Sequence, residues 1–367
     1  MLRLSVILIL IISTFTSLKA QQSPIRYAIV GLTHSHVHWI LGNLKTDAYE
    51  VVAIVEPNKA LADRFAKQYK FPLEMVYETM DEMIQSKSPQ AVLAFGTVYE
   101  HLEVVEKCAP KGIHVMVEKP LAVSLAHAKK MEALAKKNNI HLLTNYETTW
   151  YPTMHKTYEF LKANKIGELK KVIIRDGHKG PAKINLDPEF FEWLTDPVQN
   201  GGGAITDFGC YGANLMTWFM DGKKPVSVTA VTQQLQKENN PKVDDDATII
   251  LTYENSNAVL QPSWNWTIGR KDLEMYGLNG VIYADNSRHL RIKKSEGYDG
   301  FKEEKMDLKT LEKPFNDPFY FFAAVINNEV KLNPYDLSSL ENNMITMKIL
   351  DAAIRSAKSG KSVTLKQ

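Results

Sequence analysis

The chain has 367 residues, 44% of them hydrophobic and 23% charged. These are the proportions of a folded globular protein, and the length exceeds one typical domain. The formal charge is +2, and Arg3 and Lys19 are the only charges of the first 20 residues, so the remainder is neutral. That balance excludes the basic footprint of a nucleic-acid binder or of a protein held on anionic lipid.

Residues 1–20 read as an export signal. Arg3 supplies the positive start, Leu4 to Ile12 is apolar except for Ser5, and Ala20 puts a small residue at the cleavage point. The apolar run is shorter than the roughly 20 residues that span a bilayer, so the mature chain is expected to leave the membrane. In a Gram-negative host it would be periplasmic. Residues 21–145 alternate strand and helix signals: Arg26 to Gly31, Val51 to Val55, Ala91 to Phe95, Ile113 to Val117 and Ile140 to Leu143, with helical stretches between them. This pattern predicts a doubly wound parallel sheet, an α/β Rossmann domain. From residue 146 to 367 the pattern changes. A helix from Pro152 to Asn164 is followed by strands at Lys171–Arg175, Val226–Gln234, Ala247–Tyr253, Asn257–Trp266, Lys271–Tyr276 and Gly280–Asp285, and a last helix runs from Ser338 to Ser359. These segments predict an α+β domain with a large, mostly antiparallel open sheet, whose free face suits a homo-oligomer. Segments 236–246 and 293–314 are polar and are expected as loops. Cys108 and Cys210 fall in different domains and read as free, buried thiols.

The loop after the first strand is Gly31-Leu32-Thr33-His34-Ser35-His36, where a dinucleotide fingerprint would read G-x-G-x-x-G. Only the first glycine is present. The strand before the loop, the helix after it and Glu56 at the end of the second strand keep the cofactor reading. Glu56 could accept the ribose hydroxyls of NAD and would repel the 2′-phosphate of NADP. Thr33, Ser35 or a histidine N–H would supply donors at the helix N-terminus in place of the glycine amides. His34, His36 and His38 also spell a metal-like H-x-H-x-H, but no carboxylate or cysteine lies beside them in sequence, and no metal is expected. Further on stand Glu118-Lys119-Pro120 and the run Gly201-Gly202-Gly203 leading to Asp207, Gly209 and Tyr211. A lysine, an aspartate and a tyrosine gathered from two domains suit proton transfer beside a hydride acceptor.

From these segments the chain resembles the Gfo/Idh/MocA oxidoreductases over nearly all of residues 25–367. Glu118-Lys119-Pro120-Leu121-Ala122 matches that family's E-K-P-L-A, and Gly112 to Val115 matches the segment before it. Gly96 to His101 is similar to its T-P-x-x-x-H loop, with Gly96 and Thr97 in place of Thr and Pro. Ile166 to Leu169 and Gly201-Gly202-Gly203-Ala204-x-x-Asp207-x-Gly209 match two further motifs. Where most relatives carry histidine this chain has Tyr211, which resembles the exported glucose–fructose oxidoreductase branch.

The resemblance implies Lys119, Asp207 and Tyr211 as catalytic residues. It implies Gly31, Thr33, His34, His36, Glu56, Gly96, His101, Glu118 and Lys119 around NAD, and Lys119, Glu147, His178, Asp207 and Tyr211 around a carbohydrate. Tyr211 would be the base, with Lys119 lowering its pKa by proximity. Asp207 would hold an adjacent hydroxyl, or else cap a helix. Trp264 and Trp266 read as sheet packing or a subunit interface. The leading expectation is an exported, NAD-dependent oxidation of a sugar or glycoside alcohol. Redox-assisted glycoside cleavage and a non-catalytic carbohydrate-binding protein are the alternatives.

Overall fold

The computed structural model describes residues 23–366, and the export signal expected over residues 1–20 lies outside them. Strands β1 (Ile25–Val30), β2 (Tyr49–Val55), β3 (Val76–Tyr77), β4 (Ala91–Ala94), β5 (His114–Glu118) and β6 (Leu142–Asn145) form a parallel sheet in the order β3-β2-β1-β4-β5-β6. Every residue of β4 is buried, as befits a central strand covered on both faces. Helices α1 (His38–Leu41), α2 (Lys59–Tyr69), α3 (Met80–Lys87), α4 (His101–Cys108) and α5 (Leu125–Asn138) make the crossovers. Asn58, Thr79 and Ser124 cap α2, α3 and α5 by accepting from free backbone amides. The helix expected after this loop is a 3-10 turn, Ser35–Val37, followed by the four residues of α1. The His34 side chain, which caps this turn, accepts from the His36 amide.

The second half opens with α6 (Pro152–Lys162) and β7 (Leu169–Gly177), then α7 (Pro188–Leu194), α8 (Ala204–Asp207) and α9 (Gly209–Phe219). The other strands are β8 (Ser227–Gln233), β9 (Asp246–Thr252), β10 (Asn257–Ser263), β11 (Arg270–Gly277), β12 (Gly280–Ala284), β13 (His289–Glu296), β14 (Gly300–Asp307) and β15 (Val363–Thr364). They form a nine-stranded sheet with β7 in order β14-β13-β12-β11-β7-β10-β9-β8-β15, antiparallel except where β10 runs beside β7. Residues 293–314, expected as a loop, contain the end of β13 and all of β14. The polarity belongs to an edge hairpin, in which Lys293 stands opposite Glu303 and nearly all of β14 is exposed.

Helices α10 (Pro318–Ile326) and α11 (Leu340–Ser359) tie the halves together. Phe319 and Phe322 of α10 pack with Tyr27 and Ile29 of β1, and the Tyr27 hydroxyl donates to the Phe319 carbonyl at 2.9 Å. Met344 and Met347 of α11 join a core that runs from Val117 and Met131 to Phe190, Phe208, Tyr211 and Trp264. The carboxyl edge of the parallel sheet, the ligand-binding edge of such folds, is therefore roofed by the second half. Cys108 and Cys210 are both free and buried.

Candidate active site

The end of β5 delivers Glu118 and Lys119 to this edge, and α8 delivers Asp207 from above. The glycine run makes the approach possible. A Cβ on Gly201 would lie 2.6 Å from the Val123 carbonyl oxygen, in the loop that follows Lys119, and one on Gly203 would lie 1.8 Å from the Asp244 carbonyl oxygen. Asp244 fastens the turn by accepting from the Gly203 amide at 3.1 Å and the Ile205 amide at 2.7 Å.

Lys119 Nζ bonds Asp207 Oδ1, and both side chains are buried. Burial alone would lower the lysine and raise the aspartate, but each charge outweighs this in its partner: Lys119 is held up and Asp207 is held down. Asp207 Oδ2 accepts from Trp264 Nε1 at 2.9 Å. Both carboxylate oxygens are thus engaged within the protein. Asp207 ends α8 and does not cap its start, so the capping role expected as the alternative is not the one seen, and the carboxylate orients Lys119.

Tyr211 packs edge-on to Tyr146, with ring centroids 5.4 Å apart. Its hydroxyl has no hydrogen-bond partner among the described residues. Lys119 Nζ lies 5.6 Å from the ring centroid but is bonded to Asp207, and the expected lowering of Tyr211 does not occur. Burial pushes the phenol well above its ordinary value, and Glu147, Cys210, Asp207 and Glu118 add to the rise. In the free protein Tyr211 is a phenol.

His178 accepts from the Gly180 amide at Nδ1, 3.0 Å away, and burial pushes it down to about 4. It is therefore neutral at ordinary pH, with its remaining proton on Nε2. Glu147 is held by Tyr151 and by Lys271 Nζ at 2.8 Å. Lys271 on β11 lies 5.5 Å from the Tyr211 ring centroid.

The cofactor residues lie on the other side of Lys119. Gly31, Thr33, Glu56, Gly96, Glu100 and His101 line a groove of about 440 Å³ at the carboxyl ends of β1, β2 and β4. Gly31 has φ +80°, and a Cβ there would lie 2.5 Å from the Gly96 amide, so the two glycines close the loop against β4. Thr33 Oγ1, His34 Nε2 and His101 Nε2 are buried polar atoms without partners. Orphaned hydrogen-bonding groups around a glycine-closed loop fit a dinucleotide. Thr33 Oγ1 and His34 Nε2 can donate in place of the missing glycine amides, while neutral His101, whose Nδ1 donates to the Leu121 carbonyl at 3.2 Å, offers Nε2 as an acceptor. Glu56 lines the groove, with Oε2 accepting from the Leu32 amide and Oε1 from the Asn58 amide, each at 2.9 Å. The second lone pair on each oxygen leaves room for a ribose hydroxyl. Ser35 is not available to a phosphate, because its hydroxyl donates to Asp187 at 3.1 Å.

His36 Nδ1 lies 2.9 Å from Glu118 Oε2, and its ring stacks on Trp39 at 3.9 Å. Glu118 Oε1 accepts from Asn145 Nδ2 at 2.7 Å. The fold thus supplies the carboxylate that the histidine run lacked in sequence, and His34, His36 and Glu118 place one ligand atom each within 4.8 Å of one another. The proton on His34 decides against a metal there. Its Nδ1 accepts the His36 amide at 3.1 Å, and burial holds the ring neutral, so Nε2 carries the single proton and has no lone pair to offer.

Comparison with known proteins places these observations. The profile described as "Oxidoreductase family, NAD-binding Rossmann fold" matches residues 25–146, and that of the "GFO/IDH/MocA C-terminal domain" matches residues 154–283. The chain belongs to the Gfo/Idh/MocA oxidoreductase family. Trans-1,2-dihydrobenzene-1,2-diol dehydrogenase of Xenopus tropicalis is 27% identical over 278 residues, 75% of this chain and 78% of that protein. Among solved structures, aldose-aldose oxidoreductase from Caulobacter crescentus superposes with TM-score 0.77 at 20% identity, covering 93% of this chain and all of that one (100%). An inositol dehydrogenase homolog complexed with NAD+ from Azotobacter vinelandii gives TM-score 0.79 at 16% identity, covering 94% and 98%. At these identities the structures share the fold.

Within this Gfo/Idh/MocA chain, sequence reasoning missed Trp264, Lys271, Asn145 and Asp244. Trp264 is packed in the core, as its alternation with Trp266 suggests, but the alternation does not reveal its bond to Asp207. In fact β10 ends at Ser263 and only Trp264 reaches Asp207. A buried indole N–H needs an acceptor, and that requirement was the available signal. Trp264→Phe keeps the ring but leaves Asp207 Oδ2 unpaired. We expect it to lower stability by about 1–3 kcal/mol, read as an earlier urea midpoint. An unchanged midpoint would show that this bond contributes nothing to holding the pair.

Proposed function

We propose that the protein is an exported NAD-dependent oxidoreductase. It would transfer hydride between a secondary alcohol carbon of a sugar or glycoside and a tightly held nicotinamide, as in the glucose–fructose oxidoreductase branch. The observation that carries this reading is the unbonded Tyr211 hydroxyl, on a ring beside the fixed Lys119–Asp207 pair that the end of β5 and α8 bring together. Export rests on residues 1–20, and tight retention of the cofactor suits a compartment poor in free NAD. The relatives named for aldoses, inositol and a dihydrodiol favour a substrate with neighbouring hydroxyls. The outer face of the nine-stranded sheet, with Val231 and Ile250 exposed, is our choice for the surface that pairs copies of the chain.

The dinucleotide, when bound, supplies the hydride acceptor. Thr33, His34, Glu56 and His101 would hold it. In oxidation the carbinol C–H bond breaks with its electron pair, the O–H proton passes to ionised Tyr211, and C=O forms. In reduction the Tyr211 phenol returns the proton to the carbonyl oxygen. Lys119 stays fixed by Asp207 beside that oxygen and favours its negative charge. Neutral His178 offers its Nε2 proton to a neighbouring hydroxyl. The resting site, with Tyr211 protonated, is set for donation. Keto-sugar reduction should therefore run at neutral pH, while oxidation should climb about tenfold per pH unit below the apparent pKa of Tyr211.

NAD is preferred over NADP because Glu56, Glu78 and Glu100 line the groove, while Lys107, the one lysine among its described lining residues, is paired with Asp81. A 2′-phosphate would meet carboxylates with no free cation. We expect NAD(H) in the supernatant when purified protein is denatured and the released nucleotide is weighed by mass spectrometry. Finding NADP alone, or no uptake from excess NAD, would overturn the cofactor assignment.

A further inference from the structure

We propose that Lys271, paired with Glu147, is the charge that sets the ionisation of Tyr211, a positioning role that rests on Tyr211 being the acid–base group. Two lysines flank the Tyr211 ring, with Lys119 Nζ 5.6 Å and Lys271 Nζ 5.5 Å from its centroid. They are not equivalent. Lys119 and Asp207 are 7% and 4% exposed and form a closed pair, so the lysine's charge is held in a fixed arrangement. Lys271 and Glu147 are 20% and 31% exposed, so this pair is within reach of solvent. Substrate hydroxyls arriving there can compete for Glu147, and Lys271 is then left beside the phenol.

The other groups around Tyr211 leave this pair as the free variable. Asp207 is paired with Lys119, and Glu118 is bonded to His36 and Asn145. His178 is neutral, since burial pushes it down to about 4. Burial keeps the Cys210 thiol protonated, and Tyr146 and Tyr151 are likewise held up by burial. Asp176, opposite Lys271 in the β7–β11 register, is buried with Oδ1 unpartnered and is held up by burial against the pull of Lys271. Glu147 is the foremost charge opposing Tyr211 ionisation, and Lys271 is its counter-ion. Removing Lys271 deletes a cation and also uncovers that carboxylate. At this separation in partly buried surroundings, either change is worth on the order of ten- to a hundredfold in phenolate population.

The test compares parent, Lys271→Met, Lys271→Arg, Glu147→Gln and the double variant Lys271→Met with Glu147→Gln. Each is loaded with NAD or NADH and followed at 340 nm in single turnovers with a sugar and with its keto product, between pH 6 and 9. Thermal unfolding and retained nucleotide serve as fold controls. Charge tuning predicts a split between directions. Lys271→Met slows oxidation about ten- to a hundredfold and leaves reduction near the parental rate, because the phenol is already protonated. Lys271→Arg restores oxidation, Glu147→Gln speeds it, and the double variant lies between the two single variants. Equal slowing of both directions would assign Lys271 a merely structural role and overturn the proposal, as would oxidation unchanged in Lys271→Met. If Lys271→Met does not fold, unchanged oxidation in Glu147→Gln is the overturning result. Tyr211→Phe run alongside keeps the underlying reading separate: if that variant is active, the acid–base assignment itself is wrong.

Discussion

Tyr211→Phe is expected to retain bound NAD and to lose sugar-dependent reduction of it by about 10²–10⁴-fold. The ring packs between Tyr146 and Phe208, and phenylalanine preserves both contacts. The hydroxyl has no partner among the described residues, so deleting it breaks no bond and should leave thermal stability near that of the parent. Tyr211→His should recover part of the activity, because a ring with a pKa near ~6.5 also accepts and returns a proton. Its oxidation rate should level off near neutral pH, whereas the parent's continues to climb. A structural tyrosine gives the opposite order, with Phe tolerated and His damaging. Parental single-turnover rates in the Phe variant would remove Tyr211 from the mechanism.

Lys119→Met separates stability from catalysis. The variant leaves the Asp207 carboxylate buried with Trp264 as its remaining side-chain donor. Losing one member of a buried pair typically costs about 3–5 kcal/mol. Lys119→Met combined with Asp207→Asn should recover most of that loss, since the amide carries no charge, yet turnover should stay about 10²–10⁴-fold down in both variants. Urea unfolding and single-turnover kinetics on the two proteins check this. Turnover restored together with stability would mean that the lysine matters only for folding.

The parallel sheet was legible because a doubly covered strand such as β4 must be apolar throughout, and because its alternation with capped helices admits few other folds. The family was legible because Glu118-Lys119-Pro120 and the glycine run carry constraints that the fold explains: a lysine at a strand end, and glycines where a Cβ would strike Val123 or Asp244. The edge strand β14 was not legible, since an exposed hairpin of alternating charges has the composition of a loop. Nor were the partners within the site. Whether Lys119 faces Tyr211 or Asp207 depends on sub-ångström placement across 88 residues of sequence, and Lys271 reaches Glu147 across 124. The histidine run was misleading for a similar reason. Its carboxylate, Glu118, lies 82 residues away, and the tautomer that decides its chemistry is set by a backbone amide.

The central claim is that a carbon-bound hydrogen of a sugar moves as hydride to the nucleotide held by this protein. The direct measurement is isotope transfer. Protein loaded with NAD is mixed with carbon-deuterated sugars and glycosides for one turnover, then denatured, and the nucleotide is weighed by mass spectrometry. We predict reduced nucleotide one mass unit heavier than NADH, with the label absent when Tyr211→Phe is used. Reduced nucleotide without deuterium, or no reduction with any deuterated sugar or glycoside by protein that retains its NAD, would contradict the account.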